Sequence, residues 1–266
     1  MAVKLTMQGA LIYVTMAGCL AAFVLFVFGR RTGGWAVYAA TFAAAAASYA
    51  YRWVHVGHVP MQNVFEAMLL VGAVMFPLTV LGRVSFGVRM VWADPLIAFV
   101  VLFPVGFVLS EAPQHLPPAL QSPLFVPHVL SYMLAYTIIA KATVQAIAQL
   151  AVVGADDGRR LEYERCTYRL VCLGFPFLTA GLVLGAWWGR LAWTRHWGWD
   201  PKESWSLATW LVVVVYLHVR SLPGKRRATL NAALVVLAMV LIILTMGWVI
   251  FPAYFPDCTA TQHNSG

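Results

Sequence analysis

The sequence predicts an all-α, polytopic membrane bundle of about eight transmembrane helices, with both termini on the extracytoplasmic side. Three observations carry this. Hydrophobic residues make up 61% of the 266-residue chain and charged residues 11%, against roughly 45–50% and about 25% in soluble domains. Apolar runs long enough to cross roughly 30 Å of hydrocarbon recur along the whole length. Lysine and arginine fall mostly in alternate loops. So apolar a chain has too little polar surface to dissolve as a globule, and helices satisfy their own backbone hydrogen bonds in lipid. The net charge of +8 therefore reads as a topology signal; no nucleic-acid partner is expected.

Taken in order, the runs lie at 9–29, 35–51, 61–82, 92–110, 128–153, 169–189, 204–220 and 229–252. The second is the weakest, resting on the alanines of 40–47. No repeat or low-complexity linker divides the chain, so 1–266 reads as one integral membrane domain. Met16-Ala17-Gly18-Cys19 has the form of a lipoprotein cleavage box, but the chain stays apolar to Phe28, which places Cys19 in the middle of the first span. The other cysteines, Cys166, Cys172 and Cys258, form no CxxC pair, and no CxxCH occurs. The chain is thus not itself a c-type cytochrome.

Orientation follows from the loops. Those after spans one, three, five and seven hold twelve of the 18 Lys and Arg residues; the other side holds five, and Lys141 is left inside a span. The richer side is cytoplasmic. His55, His58, His115, His128 and His263 then belong to the outer side, whereas His218 lies beside Arg220, roughly 20 Å below Ser204 along its helix. Lys141, with Gln145 and Gln149 on the following turns, either snorkels towards the inner surface or lines a polar passage.

Seven of the eleven tryptophans fall between Trp187 and Trp210: Trp187, Trp188, Trp193, Trp197, Trp199, Trp205 and Trp210. An interfacial aromatic belt would spread them over all spans at one depth. Concentration in one outer segment suggests a flat apolar platform for a large planar ligand, with indole N–H groups free to meet polar substituents. Asp200, Lys202 and Glu203 add charge around Pro201, where acidic groups complement a helix start.

The run Trp193-Thr-Arg-His-Trp197-Gly-Trp199-Asp200-Pro-Lys-Glu203-Ser-Trp205 resembles the tryptophan-rich WWD signature of haem-handling proteins, and most closely the CcsA (ResC) family of cytochrome c assembly. Gly57-His58-Val-Pro60 through Glu66, His128-Val with Ser131-Tyr132, and Leu207 through Trp210 to His218-Val-Arg220 are similar to flanking segments of that family. The chain departs from the pattern at Thr194, where glycine is common, and at His196, where an aromatic is common. A departure also falls in 247–256, which lacks the family's second outer histidine.

The resemblance implies that haem b is bound as substrate by His128, His218, Trp193, Trp197, Trp199, Asp200, Glu203 and Trp205. His58, Glu66, Trp188, His196 and His263 stand as further candidates. His128 and His218 are the implied axial ligands of the iron, which takes neutral imidazole from each face. His263 and His196 both remain open as the ligand opposite His128. His58 and Glu66 either orient a propionate-binding group or bond each other.

The implied role is haem export and cytochrome c synthesis in a bacterial or organellar energy-transducing membrane. A CcsB/ResB-like membrane partner would supply the other ligand at His218, and an apocytochrome c would present the CxxCH thiols. Two alternatives stay open: a transporter or chaperone relaying haem without ligation, and a structural or quinone-binding subunit of a respiratory complex.

Overall fold

Each of the eight apolar runs is a helix in the computed structural model, which describes residues 3–88, 90–152, 157–221 and 227–254. The helices are α1 (Met7–Val27), α2 (Arg31–Val56), α3 (Val64–Phe86), α4 (Ala93–Phe107), α5 (Phe125–Ala151), α6 (Asp157–Trp193), α7 (Pro201–Ser221) and α8 (Arg227–Tyr254). A single 3₁₀ turn, Pro118–Leu120, lies between α4 and α5, and there is no strand among the described residues. Among those residues five helices (α1, α3, α5, α6 and α8) are long and apolar enough to cross a membrane by length and composition. The chain is a multi-pass membrane protein.

Local chemistry sets the helix ends. Thr6 Oγ1 accepts from the Gly9 N–H at the start of α1, and Asn63 Oδ1 accepts from the Glu66 N–H at the start of α3. Gly57 and Gly87 close α2 and α3 in the left-handed conformation, at φ 74° and 64°. Two lengths depart from expectation. The fourth apolar run covers 92–110, but α4 has 15 residues, about 22 Å, short of a full crossing. Pro104 lies near its end, and its carbonyl takes both the Val108 and Leu109 N–H groups, tightening the last turn before a proline-rich connection. Conversely, α6 runs for 37 residues, about 55 Å. Its first turns carry Arg159, Arg160, Glu162 and Glu164, so hydropathy alone detects the helix only further on.

α5 lies along α6 and also meets α8, which pairs with α7; α1 packs on α2 and α4, and α3 on α4 and α2. One continuous core draws Tyr38, Met75, Ala98, Ile138, Leu178, Val213 and Ala238 from seven different helices. Threonines inside it satisfy themselves on their own helices: Thr79, Thr137, Thr143 and Thr245 each donate to the carbonyl four residues earlier.

Two buried ion pairs cross between helices. Arg52 of α2 meets Glu66 of α3 at 2.8 and 3.0 Å, and its third nitrogen donates to the Glu111 carbonyl at 2.6 Å. Lys141 of α5 pairs with Asp94 at the start of α4 and donates to Thr79 Oγ1 at 3.3 Å. Of the two expectations for Lys141, snorkelling does not hold. The residue is 2% exposed and stays away from the inner surface, because a carboxylate from the short α4 meets it inside the bundle.

Candidate functional site

At one end of the bundle a cavity of about 340 Å³ opens between the starts of α3 and α5, the end of α6 and the start of α7. This volume lies at the lower end of the range for small-molecule sites. His128 stands on its wall one turn into α5. Its Nδ1 lies 2.9 Å from the Gly181 carbonyl on α6. A carbonyl only accepts, so Nδ1 carries the proton and Nε2 presents its lone pair, with no protein partner among the described residues. Trp188 stacks on the imidazole with centroids 5.8 Å apart, and Tyr132 meets it edge-on at 5.1 Å.

The ring can sit there because α6 has no side chain where it lands. A Cβ on Gly185 would stand 2.5 Å from His128 Cε1, and one on Gly181 would stand 2.9 Å from the Tyr132 ring. Gly181, Gly185 and Gly189 follow one another at intervals of four, the small-residue spacing that lets membrane helices approach closely. A Cβ on Gly189 would meet the Arg195 carbonyl at 3.3 Å, so the same stripe admits the returning loop.

That loop, 194–200, turns the chain from α6 into α7. Asp200 caps α7, its Oδ1 accepting from the Glu203 N–H at 2.9 Å, while Glu203 Oε2 reaches back to the Gly198 N–H at 2.6 Å. The loop is entered and left through non-glycine residues in the left-handed region, Thr194 at φ 63° and Trp199 at φ 58°. For a β-branched threonine this is a strained position. Trp188 Nε1 donates to the Ala119 carbonyl at 2.9 Å, and Trp193 lies edge-on to Trp188 at 4.7 Å. Lys202 stands 5.9 Å over the Trp193 ring and 3.4 Å from Asp200. Trp197 also lines the cavity, and its buried Nε1 has no hydrogen-bond partner among the described residues.

The structure brings His128, Trp188, Trp193, His196, Trp197 and Glu203 to this cavity. Asp200 acts beside it as a cap. Trp199 and Trp205 do not line it; they are 71% and 37% exposed. Trp210 is spent on packing, donating from Nε1 to Thr179 Oγ1 of α6 at 3.0 Å. His218 lies at the far end of α7, exposed, with Nδ1 2.8 Å from the Val214 carbonyl. His58 and Glu66 do not bond each other: His58 Nδ1 sits 3.1 Å from the Val59 carbonyl, and Glu66 is committed to Arg52 and the Gln62 N–H. His263 lies outside the described residues.

Sequence reasoning missed the glycine stripe and the α3 wall, where Met61, Asn63, Ala67 and Met68 face the cavity. The four-residue glycine spacing was a readable signal for the first. For the second, the family-like 57–66 segment marked Met61 and Asn63, while nothing local marks Ala67 and Met68.

The family described as Cytochrome C assembly protein matches residues 61–251. A cytochrome c biogenesis protein CcsA of Chlamydomonas reinhardtii is 33% identical over 187 residues, 65% of this chain and 53% of that protein. One from Guillardia theta is 31% identical over 217 residues, 68% of this chain and 71% of that protein. A third, from Synechococcus elongatus, is 28% identical over 229 residues, covering 65% and 70%. The chain thus spans about half the length of the first relative and about 70% of the other two. Among solved structures, cytochrome c heme lyase CcmF aligns with a TM-score of 0.66 at 20% identity, over 94% of this chain and 51% of that one, a likeness of fold. The family match begins at Met61 on the cavity wall and continues into α8, and the chain belongs to the CcsA family of cytochrome c biogenesis proteins.

Proposed function

We propose that the chain acts as one membrane unit that receives haem b as substrate and presents it in the His128 cavity on the outer side for attachment to apocytochrome c. The observation that carries this reading is the state of the cavity's polar atoms. His128 offers an Nε2 lone pair fixed by the Nδ1–Gly181 bond, which is how a protein prepares an imidazole for a metal. Trp197 offers a buried N–H with no partner among the described residues, the kind of donor a propionate would satisfy. Trp188 and Trp193 supply apolar wall for the macrocycle. His196 is the second histidine lining the cavity, and we assign it as the ligand opposite His128.

In the synthase reading, each CxxCH thiol adds across one haem vinyl group, sulfur bonding to carbon and the proton passing to the other vinyl carbon. The protein contributes by holding haem and thiols in one geometry. His218 is the proposed inner ligand. Its exposure on α7 favours completion by a CcsB/ResB-like partner, which would put the second imidazole against it. The outer position of the tryptophan segment rests on the loop charges.

Co-expression with a CxxCH apocytochrome, with and without that partner, tests the proposal. Covalent haem on the cytochrome is expected with the partner present. Haem co-purifying with the chain, without any attachment, would replace the synthase by the relay. Absence of haem in every preparation would reject both and favour a structural or quinone-binding role.

A further inference from the structure

A second cavity, about 940 Å³, lies at the opposite end of α3 and α6 from His128 and plays no part in the site above. It is framed by the start of α2, the end of α3, Gly87 and Val88, Met90 to Trp92, and the first turns of α6. Arg31, Arg83, Arg159 and Glu162 line it together with Trp35 and Trp92. Arg159 and Glu162 are engaged with other groups. Neither Arg31 nor Arg83 forms an ion pair with a carboxylate among the described residues. Arg83 lies 5.6 Å over the Trp35 ring, which orients its guanidinium without neutralising it.

The floor of the cavity is held in place. Arg169 of α6 donates to the Phe86 carbonyl at 2.8 Å, and the Cys166 thiol donates to the Gly87 carbonyl at 3.6 Å. Two residues beyond Trp92, Asp94 anchors the connection to buried Lys141. A fixed concavity with two uncompensated guanidinium groups above aromatic walls, at the ends of membrane helices, suits an anion attached to an apolar body. We propose that this cavity binds the phosphate-bearing headgroup of an anionic membrane lipid, Arg31 and Arg83 pairing with the phosphate and the indoles of Trp35 and Trp92 flanking its glycerol region. The volume favours a whole headgroup over a bare phosphate ion, and basic pockets between helices at the membrane surface take lipids of this class.

The test uses the full chain in detergent, with retained lipid counted by native mass spectrometry. Phosphatidylglycerol and phosphatidylcholine are supplied as equal probes. Preferential retention of phosphatidylglycerol is expected. Arg31→Gln with Arg83→Gln should reduce it at least tenfold, since each basic group near a membrane phosphate contributes about fivefold. The pair Arg31→Lys with Arg83→Lys should keep most of it and so controls for folding. Arg30→Gln with Arg165→Gln removes the same charge outside the cavity and should change nothing. Equal retention of both lipids, or an unchanged preference in the Arg31/Arg83 glutamine pair, overturns the proposal. Displacement by inorganic pyrophosphate would assign the cavity to a soluble phosphate compound and overturn the lipid; haem b retained in place of lipid, and lost with Arg31 and Arg83, would do the same.

Discussion

His128 and His218 are the two histidines expected to meet iron, and the bundle treats them in opposite ways. His128 is enclosed: Gly181 fixes one ring nitrogen, Trp188 covers a face, and Gly185 leaves the space in which the ring lies. His218 is exposed on the stripe of α7 that also carries Leu211 and Val215, and its Nδ1 is occupied by its own helix. A histidine built into a cavity has its orientation supplied by its own chain. A histidine on an exposed helix face has no enclosing wall of its own, so on the proposed reading a partner completes its site. This contrast leads us to expect His128 to hold haem in the isolated chain and His218 to need a second protein.

The largest expected effect comes from the ion pair behind the α3 wall. Glu66→Ala leaves Arg52 buried without its carboxylate, a loss of about 3–5 kcal/mol. Thermal unfolding should shift down strongly, and haem held at His128 should fall with it, while haem dependent on His218 is spared in the partner complex. An unchanged melting temperature would mean that the pair does not brace the cavity.

Gly185→Val strikes the seat of His128 alone. The added side chain meets Cε1 at 2.5 Å, inside any permitted contact, so the ring must leave its bond to Gly181. Haem retention at the cavity should drop about tenfold or more, the equivalent of one lost oriented bond to a ligand. Titration of the detergent-solubilised protein with haem measures it. Wild-type affinity would show that the α5–α6 contact does not orient the imidazole.

Thr194→Gly gives the smallest effect, in the opposite direction. Threonine at φ 63° is strained and glycine is not, so the variant should gain about 1 kcal/mol of stability. Tryptophan fluorescence on heating follows it. Destabilisation would show that the side chain contributes more to the loop than its conformation costs.

The sequence made much of this legible, for reasons that also mark where it stops. Apolar runs locate helices because lipid demands them, so all eight appear near their expected places. The charged start of α6 and the proline-shortened α4 do not announce their lengths through hydropathy. The tryptophan density singled out the segment whose Trp188, Trp193 and Trp197 line the cavity, but density carries no direction. Trp205 is exposed while Ser206, Thr209, Val213 and Tyr216 form the buried stripe of α7, and that period of three to four would have indicated which face of α7 turns inward. Asp200 and Glu203 are expected both to complement a helix start and, by the resemblance, to meet haem; the structure shows both capping α7. The pairs Arg52–Glu66 and Lys141–Asp94 join residues on different helices, and no local pattern specifies them.

The most direct measurement is the haem content and absorption spectrum of the purified chain, wild type against His128→Ala and His218→Ala, each with and without added imidazole. Haem in the isolated chain should depend on His128, disappear in His128→Ala, return with imidazole filling the vacated position, and be unaffected by His218→Ala. Full wild-type haem content and an unaltered spectrum in His128→Ala would contradict the assignment of this cavity as the haem site.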